Sequence, residues 1–418
     1  MKRRPNRAVS FERPIKRWPI VTLNRVLTVA RALRRLRPPI SEQSLTEAAQ
    51  RRTGLADFGD DSFRDPMRRL IQALEDEGNL DEFGWILARG QILLCLENRL
   101  RVQREWVSRP QILDGSIEPP LFILGLPRTG STLLVNLLGR DPNHRFLANW
   151  EAMRPAPFRS TRGRDMRRKV AARHLRILDY LAPSLGAIHE MRIAGPEECV
   201  PLLANSFRGS QFFSAFHLPA YQCWLQAQDH APAYEYHRRQ LLLLQWQRPG
   251  NRWLLKAPAH LLFLDSLFRI FPRARVVQLH RDPFKVIPSV CSLNATVQSL
   301  GAKSVDLKAL GPHWAATWAE ALDRAIKVRE RFAEAFCDVL YRDLMADPLH
   351  AVRLIYERFG YPLSDQLRGS MAVELARNPQ HKRGIHRYSL ATFGLEAREV
   401  ERRFGRYVDV FRVPREPD

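Results

Sequence analysis

No stretch of this chain is apolar for long enough to span a bilayer. The amino-terminal stretch MKRRPNRAVSFERPIKRWPI has basic residues but lacks the continuous apolar core of a secretory signal. Cysteine is scarce, with five in 418 residues. Cys95, Cys199, Cys223, Cys291 and Cys337 stand apart with no C-x-x-C pair, which argues against a zinc cluster and a disulfide framework. A reducing, cytoplasmic setting is the expectation. Acidic residues are outnumbered, 44 against 66 Lys and Arg, leaving a net charge of +22. A field of that sign draws nucleotides, nucleic acid, anionic membrane or phosphorylated and sulfated substrates, without deciding among them. A hydrophobic content of 45% supports a sizeable core.

The first forty residues are basic. Within them IVTLNRVLTVARALRRL sets apolar residues at helical spacing beside arginines. This predicts a helix that either docks on the protein with its arginines in water or lies on a membrane surface. From Ser41 to about Pro110 the pattern is helical throughout. Ser44 and Glu47 have capping-box spacing, and Asp65-Pro66 predicts another helix start. EFGWILARGQILLCLENRLRVQREW predicts a long amphipathic helix. The turn-rich RPQILDGSIEPP then marks a boundary, giving segments 1–40, 41–118 and 119–418. Beyond it strands alternate with helices. PLFILGL, NRWLLKAP, RARVVQLHRDP and CDVLYRDL read as strands; HLLFLDSLFRIF, WAATWAEALDRAIKVRERFAEAF and HAVRLIYERFG read as helices. The predicted fold class is α/β, a P-loop-type parallel sheet flanked by helices, preceded by an all-helical region. Ligands of such sheets bind beyond the carboxyl ends of the strands.

One such end carries LFILGLPRTGSTLLVNLLG, beginning at Leu121. Gly125 and Gly130 let the backbone turn and approach a ligand closely. The N–H groups of Thr129, Gly130, Ser131 and Thr132 would form an anion nest, with a helix start behind it. A nucleotide-hydrolysing loop reads G-x-x-x-x-G-K-[ST], whereas this one reads G-L-P-R-T-G-S-T. The lysine is missing, and no aspartate stands out at a strand end to hold Mg²⁺. The expectation is a phosphate held without metal by Arg128 and backbone donors.

LPRTGSTLL resembles the 5′-phosphosulfate loop of sulfotransferases, which use 3′-phosphoadenosine 5′-phosphosulfate (PAPS). The best-known cytosolic members read P-K-S-G-T-T-W; Arg128 replaces that lysine, as in many bacterial, Golgi and tyrosylprotein relatives. The resemblance runs from about Pro120 to Phe411 and is nearest to a large bacterial branch with an N-terminal helical extension. In VVQLHRDPFKVIPSV it implies that Arg281 and Ser289, eight residues apart, bind the 3′-phosphate. Pairing of Arg281 with a carboxylate such as Asp282 is the structural alternative. YRDLMADP is similar to a family segment that would place Tyr341 near the nucleotide. In HKRGIHRYSLATFGL, Lys382, Arg383 and Arg387 would close over the 3′-phosphate or simply be solvated.

Sulfuryl transfer needs a base for the acceptor and stabilisation of the departing phosphate. His189, in the ionisable segment IHEMRIAGPEECVPLL, is the first candidate base. Glu198, next to Glu197, is the second, resembling the glutamate base of the tyrosylprotein branch. His260 is the third; its K-x-x-x-H spacing departs from the cytosolic K-x-H and favours packing. Lys256 ends an apolar strand, where an unpaired ammonium would be costly. The resemblance places it on the sulfuryl group, against a structural ion pair.

The expected function is therefore PAPS-dependent sulfuryl transfer, leaving 3′,5′-ADP, with no metal. The acceptor is left open among a lipid or lipid-linked sugar, a glycan, a polyketide-type hydroxyl and a small phenol. A P-loop phosphotransferase or nucleotide-binding regulator is the alternative. A nucleic-acid or anionic-surface binder is suggested by charge alone and does not account for the ordered spacing of loop, arginine and serine.

Overall fold

The computed structural model describes residues 8–10, 16, 18–32, 39–158, 165–181, 192–377, 385–387 and 389–417. The chain opens with a short strand, β1 (Ala8–Ser10), and a helix, α1 (Trp18–Ala32). Three further helices follow: α2 (Glu42–Thr53), α3 (Arg64–Asp76) and α4 (Glu82–Ser108). The cap of α2 is Ser41, three residues before the Ser44 expected from spacing; its Oγ accepts the Ser44 N–H at 3.2 Å. Asp81 caps α4 in the same way, accepting from Gly84 at 2.8 Å.

α4 is not amphipathic throughout: every residue from Cys95 to Val102 is buried, so this stretch is covered all round, whereas Val107 near its end is exposed. Its charged side chains consequently carry partners, as burial requires. Arg99, 1% exposed, donates to the carbonyls of Phe58 and Asp60 at 3.2 and 3.1 Å. Its guanidinium also lies over the rings of Phe63 and Tyr236. Glu97 accepts from Arg101 and Arg154 at 3.1 and 3.2 Å.

The main sheet is built from β2 (Leu121–Gly125), β3 (His144–Phe146), β4 (Arg252–Lys256), β5 (Arg275–His280) and β6 (Phe336–Leu340). All four pairings are parallel, in the order β3-β4-β2-β5-β6. The four strands expected from sequence are present, and β3 is additional. Only three residues long, β3 has no apolar run to announce it. It is secured through buried Arg145, which donates to Glu151, Leu244 and Arg248 and lies over the Trp253 ring. Elsewhere β7 (Ile385–Arg387) pairs in parallel with β1.

Strand side chains alternate between two cores. Leu121 and Ile123 join Leu134, Val135 and Ile355 on one face. Phe122 and Leu124 join Phe268 and Phe271 on the other, and Leu93, Leu96 and Leu100 of α4 belong to that same cluster. The helical segment and the sheet thus share one apolar core. Among the described residues no helix is long and apolar enough to cross a membrane.

Two histidines sit deep in the second core. Burial holds His237, on the helix Ala231–Gln247, down to a pKa of about 3, and His230 just before it to about 4. Unfolded histidine titrates near 6.5, so between about pH 6.5 and 4 the unfolded chain binds protons that the folded chain refuses. Stability should fall as pH drops through that window, by up to about 1.4 kcal/mol per pH unit for each histidine. Neither ring nitrogen of His237 has a partner among the described residues, so His237→Leu should flatten the slope. Urea midpoints at pH 7 and 5 test this; equal slopes for the two proteins would refute it.

Candidate active site

Three adjacent strands end at one place. β2 lies between β4 and β5, with Ile123 level with Lys256 and Gly125 level with Leu279. Arg281 therefore emerges just past β5, while Lys256 closes β4. On the far side of β5, His280 is level with Leu340, so Tyr341 enters beside Arg281. With strands spaced about 4.8 Å apart, loop, lysine, arginine and tyrosine share one strand-end site.

The loop itself needs unusual backbone. Gly125 has φ +139°, and a Cβ there would stand 2.3 Å from the Leu279 carbonyl oxygen. Arg128 and Gly130 take left-handed φ of +67° and +86°. A non-glycine residue in that region is costly and concentrates at ligand sites. The Thr129 hydroxyl donates to the Leu126 carbonyl at 2.8 Å and is buried, so it closes the loop from inside. Ser131 opens the helix α5 (Ser131–Leu138), directing the free N–H groups of its first turn towards the loop. A Cβ on Gly130 would lie 3.0 Å from Leu344 and 3.5 Å from Tyr341, which places Tyr341 against the loop.

The order of HRDP explains the arginine's position. Asp282 caps the helix Pro283–Gln298, accepting from Phe284 at 2.9 Å, and Pro283 fills its first position. His280 is buried and bonded to Asp338 at 2.8 Å. Arg281 is left to face the site. Its Nη1 donates to the Arg128 carbonyl at 2.7 Å, and its guanidinium lies 3.8 Å over the Tyr341 ring. Its carboxylate partner is Glu416, not the neighbouring Asp282: Nε and Nη2 donate to Glu416 at 2.8 and 2.9 Å. Ser289 follows on the same helix, buried. Glu416 has no signal in sequence, because the contact spans a separation of 135 residues.

On the other side of the loop, Lys256 and Glu198 meet. The ammonium donates to Glu198 Oε1 at 2.9 Å, the lysine side chain being almost wholly buried. The Cys199 N–H donates to the Lys256 carbonyl at 3.0 Å, docking the Glu198 segment along β4. Glu197 accepts from the Glu198 N–H and from Asn149. His260 lies in the 3₁₀ turn Pro258–Phe263, fully buried, with Nδ1 hydrogen-bonded to Tyr234 at 2.8 Å. Burial drives its pKa well below the usual range, so it is a core histidine by environment. His189, Lys382 and Arg383 lie outside the described residues, and Arg387 is described by its backbone alone. Among the described residues no group of His, Cys, Asp and Glu is arranged to hold a metal ion.

A family model described as the sulfotransferase family matches residues 119–365. The chain belongs to the sulfotransferase family. Sulfotransferase STF9 from Mycobacterium avium is 30% identical, with a TM-score of 0.84 over 92% of this chain and 100% of that one. Sulfotransferase STF1 from Mycobacterium tuberculosis is 34% identical, with a TM-score of 0.78 over 88% of this chain and 99% of that one. The chain is also 26% identical over 249 residues to the omega-hydroxy-beta-dihydromenaquinone-9 sulfotransferases Stf3 of Mycobacterium bovis and Mycobacterium tuberculosis. That match covers 58% of this chain and 63% of the length of Stf3.

For this sulfotransferase the loop geometry carries a direct test. Gly125→Ala should cost about 1–3 kcal/mol from backbone strain alone, before the contact with Leu279 is counted. Urea unfolding measures it; a loss under about 0.5 kcal/mol, the range of neutral surface changes, would mean that the turn tolerates a side chain.

Proposed function

We propose that this chain transfers the sulfuryl group of PAPS to the hydroxyl of an apolar acceptor, leaving 3′,5′-ADP. The carrying observation is the register that sets Lys256 and Arg281 on either side of a lysine-free phosphate loop. The loop nest from Thr129 to Thr132 and Arg128 would take the 5′-phosphosulfate. Arg281 and Ser289 would take the 3′-phosphate, with Tyr341 beside them and Lys382, Arg383 and Arg387 closing over it.

In the proposed step the acceptor oxygen bonds to sulfur as the bond from sulfur to the bridging oxygen breaks. That oxygen leaves with 3′,5′-ADP, and the acceptor proton passes to a base. Lys256 and Arg128 would meet the charge that grows on the leaving oxygen, a role that strengthens as the bond breaks. His189 is the base we favour, because the Glu198 carboxylate is already held by Lys256. Glu198 would then position the lysine.

The acceptor class follows that of Stf3, an omega-hydroxy-beta-dihydromenaquinone-9 sulfotransferase. A hydroxyl on a long apolar molecule of that type is the reading we adopt here. α1 supports it, presenting exposed Trp18, Leu23 and Val26 beside Arg25, as an interfacial helix would. We therefore place the protein in the cytoplasm with peripheral membrane contact through α1. Its five free cysteines, four of them buried, suit a reducing compartment.

Calorimetry should find 3′,5′-ADP bound much more tightly than 5′-AMP or ATP without added metal. Equal binding of 5′-AMP, or binding only with Mg²⁺, would sink the donor assignment. With labelled PAPS and a host extract, label is expected in the organic phase.

The base can be tested separately. His189→Ala should lower turnover about 10²–10⁴-fold while leaving 3′,5′-ADP affinity nearly unchanged, since the base addresses the acceptor. Near-normal turnover, joined to a large loss in Glu198→Gln, would move the role to Glu198.

A further inference from the structure

Beyond the helix Ala397–Phe411 the chain turns at Arg412, with φ +49°, and runs back over the end of β5. Val413 is buried. The Arg415 guanidinium lies over the Phe284 ring, and the Glu416 N–H donates to Asp282 Oδ2 at 2.9 Å. These contacts deliver the Glu416 carboxylate to the Nε–Nη2 edge of Arg281 at 2.8 and 2.9 Å. An arginine grips a phosphate by the same kind of two-donor edge.

We propose that Glu416 is an anion within the molecule that competes for the arginine fork receiving the 3′-phosphate, and so sets the affinity for 3′-phosphorylated ligands. The inference rests on the donor assignment made above. One edge cannot serve two anions, and two anions brought side by side there repel. Arg281 and Glu416 side chains are 20% and 22% exposed, so the pair can open into water. The backbone bond to Asp282 keeps the carboxylate close by, which makes it an effective competitor. A ligand without a 3′-phosphate has no need to displace it, so its affinity does not depend on Glu416.

Glu416 is not needed to hold Arg281 in place. The Tyr341 ring and the Arg128 carbonyl already fix the guanidinium from two other directions. Removing the carboxylate's charge should thus free the fork without misplacing it. This separates competition from positioning, because a positioning residue would weaken 3′-phosphate binding when removed.

The experiment is calorimetry of the full chain and its Glu416→Gln variant with 3′,5′-ADP and with 5′-AMP. Glutamine keeps the size and the backbone anchor but not the charge. Affinity for 3′,5′-ADP should rise roughly 3- to 30-fold, the worth of a partly exposed charge-assisted pair, with 5′-AMP nearly unchanged. An unchanged or lowered ratio of the two affinities overturns it while leaving the donor assignment standing. Failure of both proteins to bind 3′,5′-ADP overturns the donor assignment, and this inference with it.

Discussion

The site depends on one constraint, the parallel pairing of β2 with a neighbour on each side. Parallel ladders present all their carboxyl ends in one direction. A lysine, a phosphate loop and an arginine from three distant parts of the chain therefore arrive together. No single side-chain contact is required to bring them there, only the burial of three apolar strands. The strands are secured in turn by the two cores that their alternating side chains enter.

Within that frame Arg281 is the point where most contacts meet. It joins the loop through the Arg128 carbonyl, the β6 end through Tyr341, and the segment after the last helix through Glu416. A ligand that moved this side chain would be felt at all three. The Lys256–Glu198 pair plays a similar part on the other side, tying β4 to the segment that carries two carboxylates. Arg281, Lys256 and Glu198 are thus held by neighbours, which limits how far they can stray from a reactive geometry.

Local patterns made much of this legible. The apolar runs at Leu121, Arg252 and Arg275 are strands buried on both faces, while Phe336–Leu340, at the sheet's edge, leaves Asp338 exposed. Asp282-Pro283 starts a helix because a capping oxygen and a fixed φ suit that position. The loop's glycines occupy the backbone shapes their type suggests. By contrast, β3 was not legible. Its stability comes from Arg145, whose partners are scattered over a hundred positions. The buried stretch Cys95–Val102 of α4 was not legible either, because charges at Glu97, Arg99 and Arg101 look solvated until their partners are known.

The sequence by itself determined the four longer strands of the sheet, the loop and the kinds of residue at the strand ends, because these follow from local spacing. It also determined the sign of the protein's field, since charge needs no fold to be counted. Tertiary structure decided which groups meet. Glu198 was legible as an acid and Lys256 as a strand-end cation, but their contact comes from chain closure across 58 positions. Glu416 is the extreme case. An acidic residue beyond a terminal helix carries no local pattern, and only the packing of that helix against β5 brings it to Arg281. Long-range pairs of this kind are set by the geometry of the whole core, which no window of sequence contains.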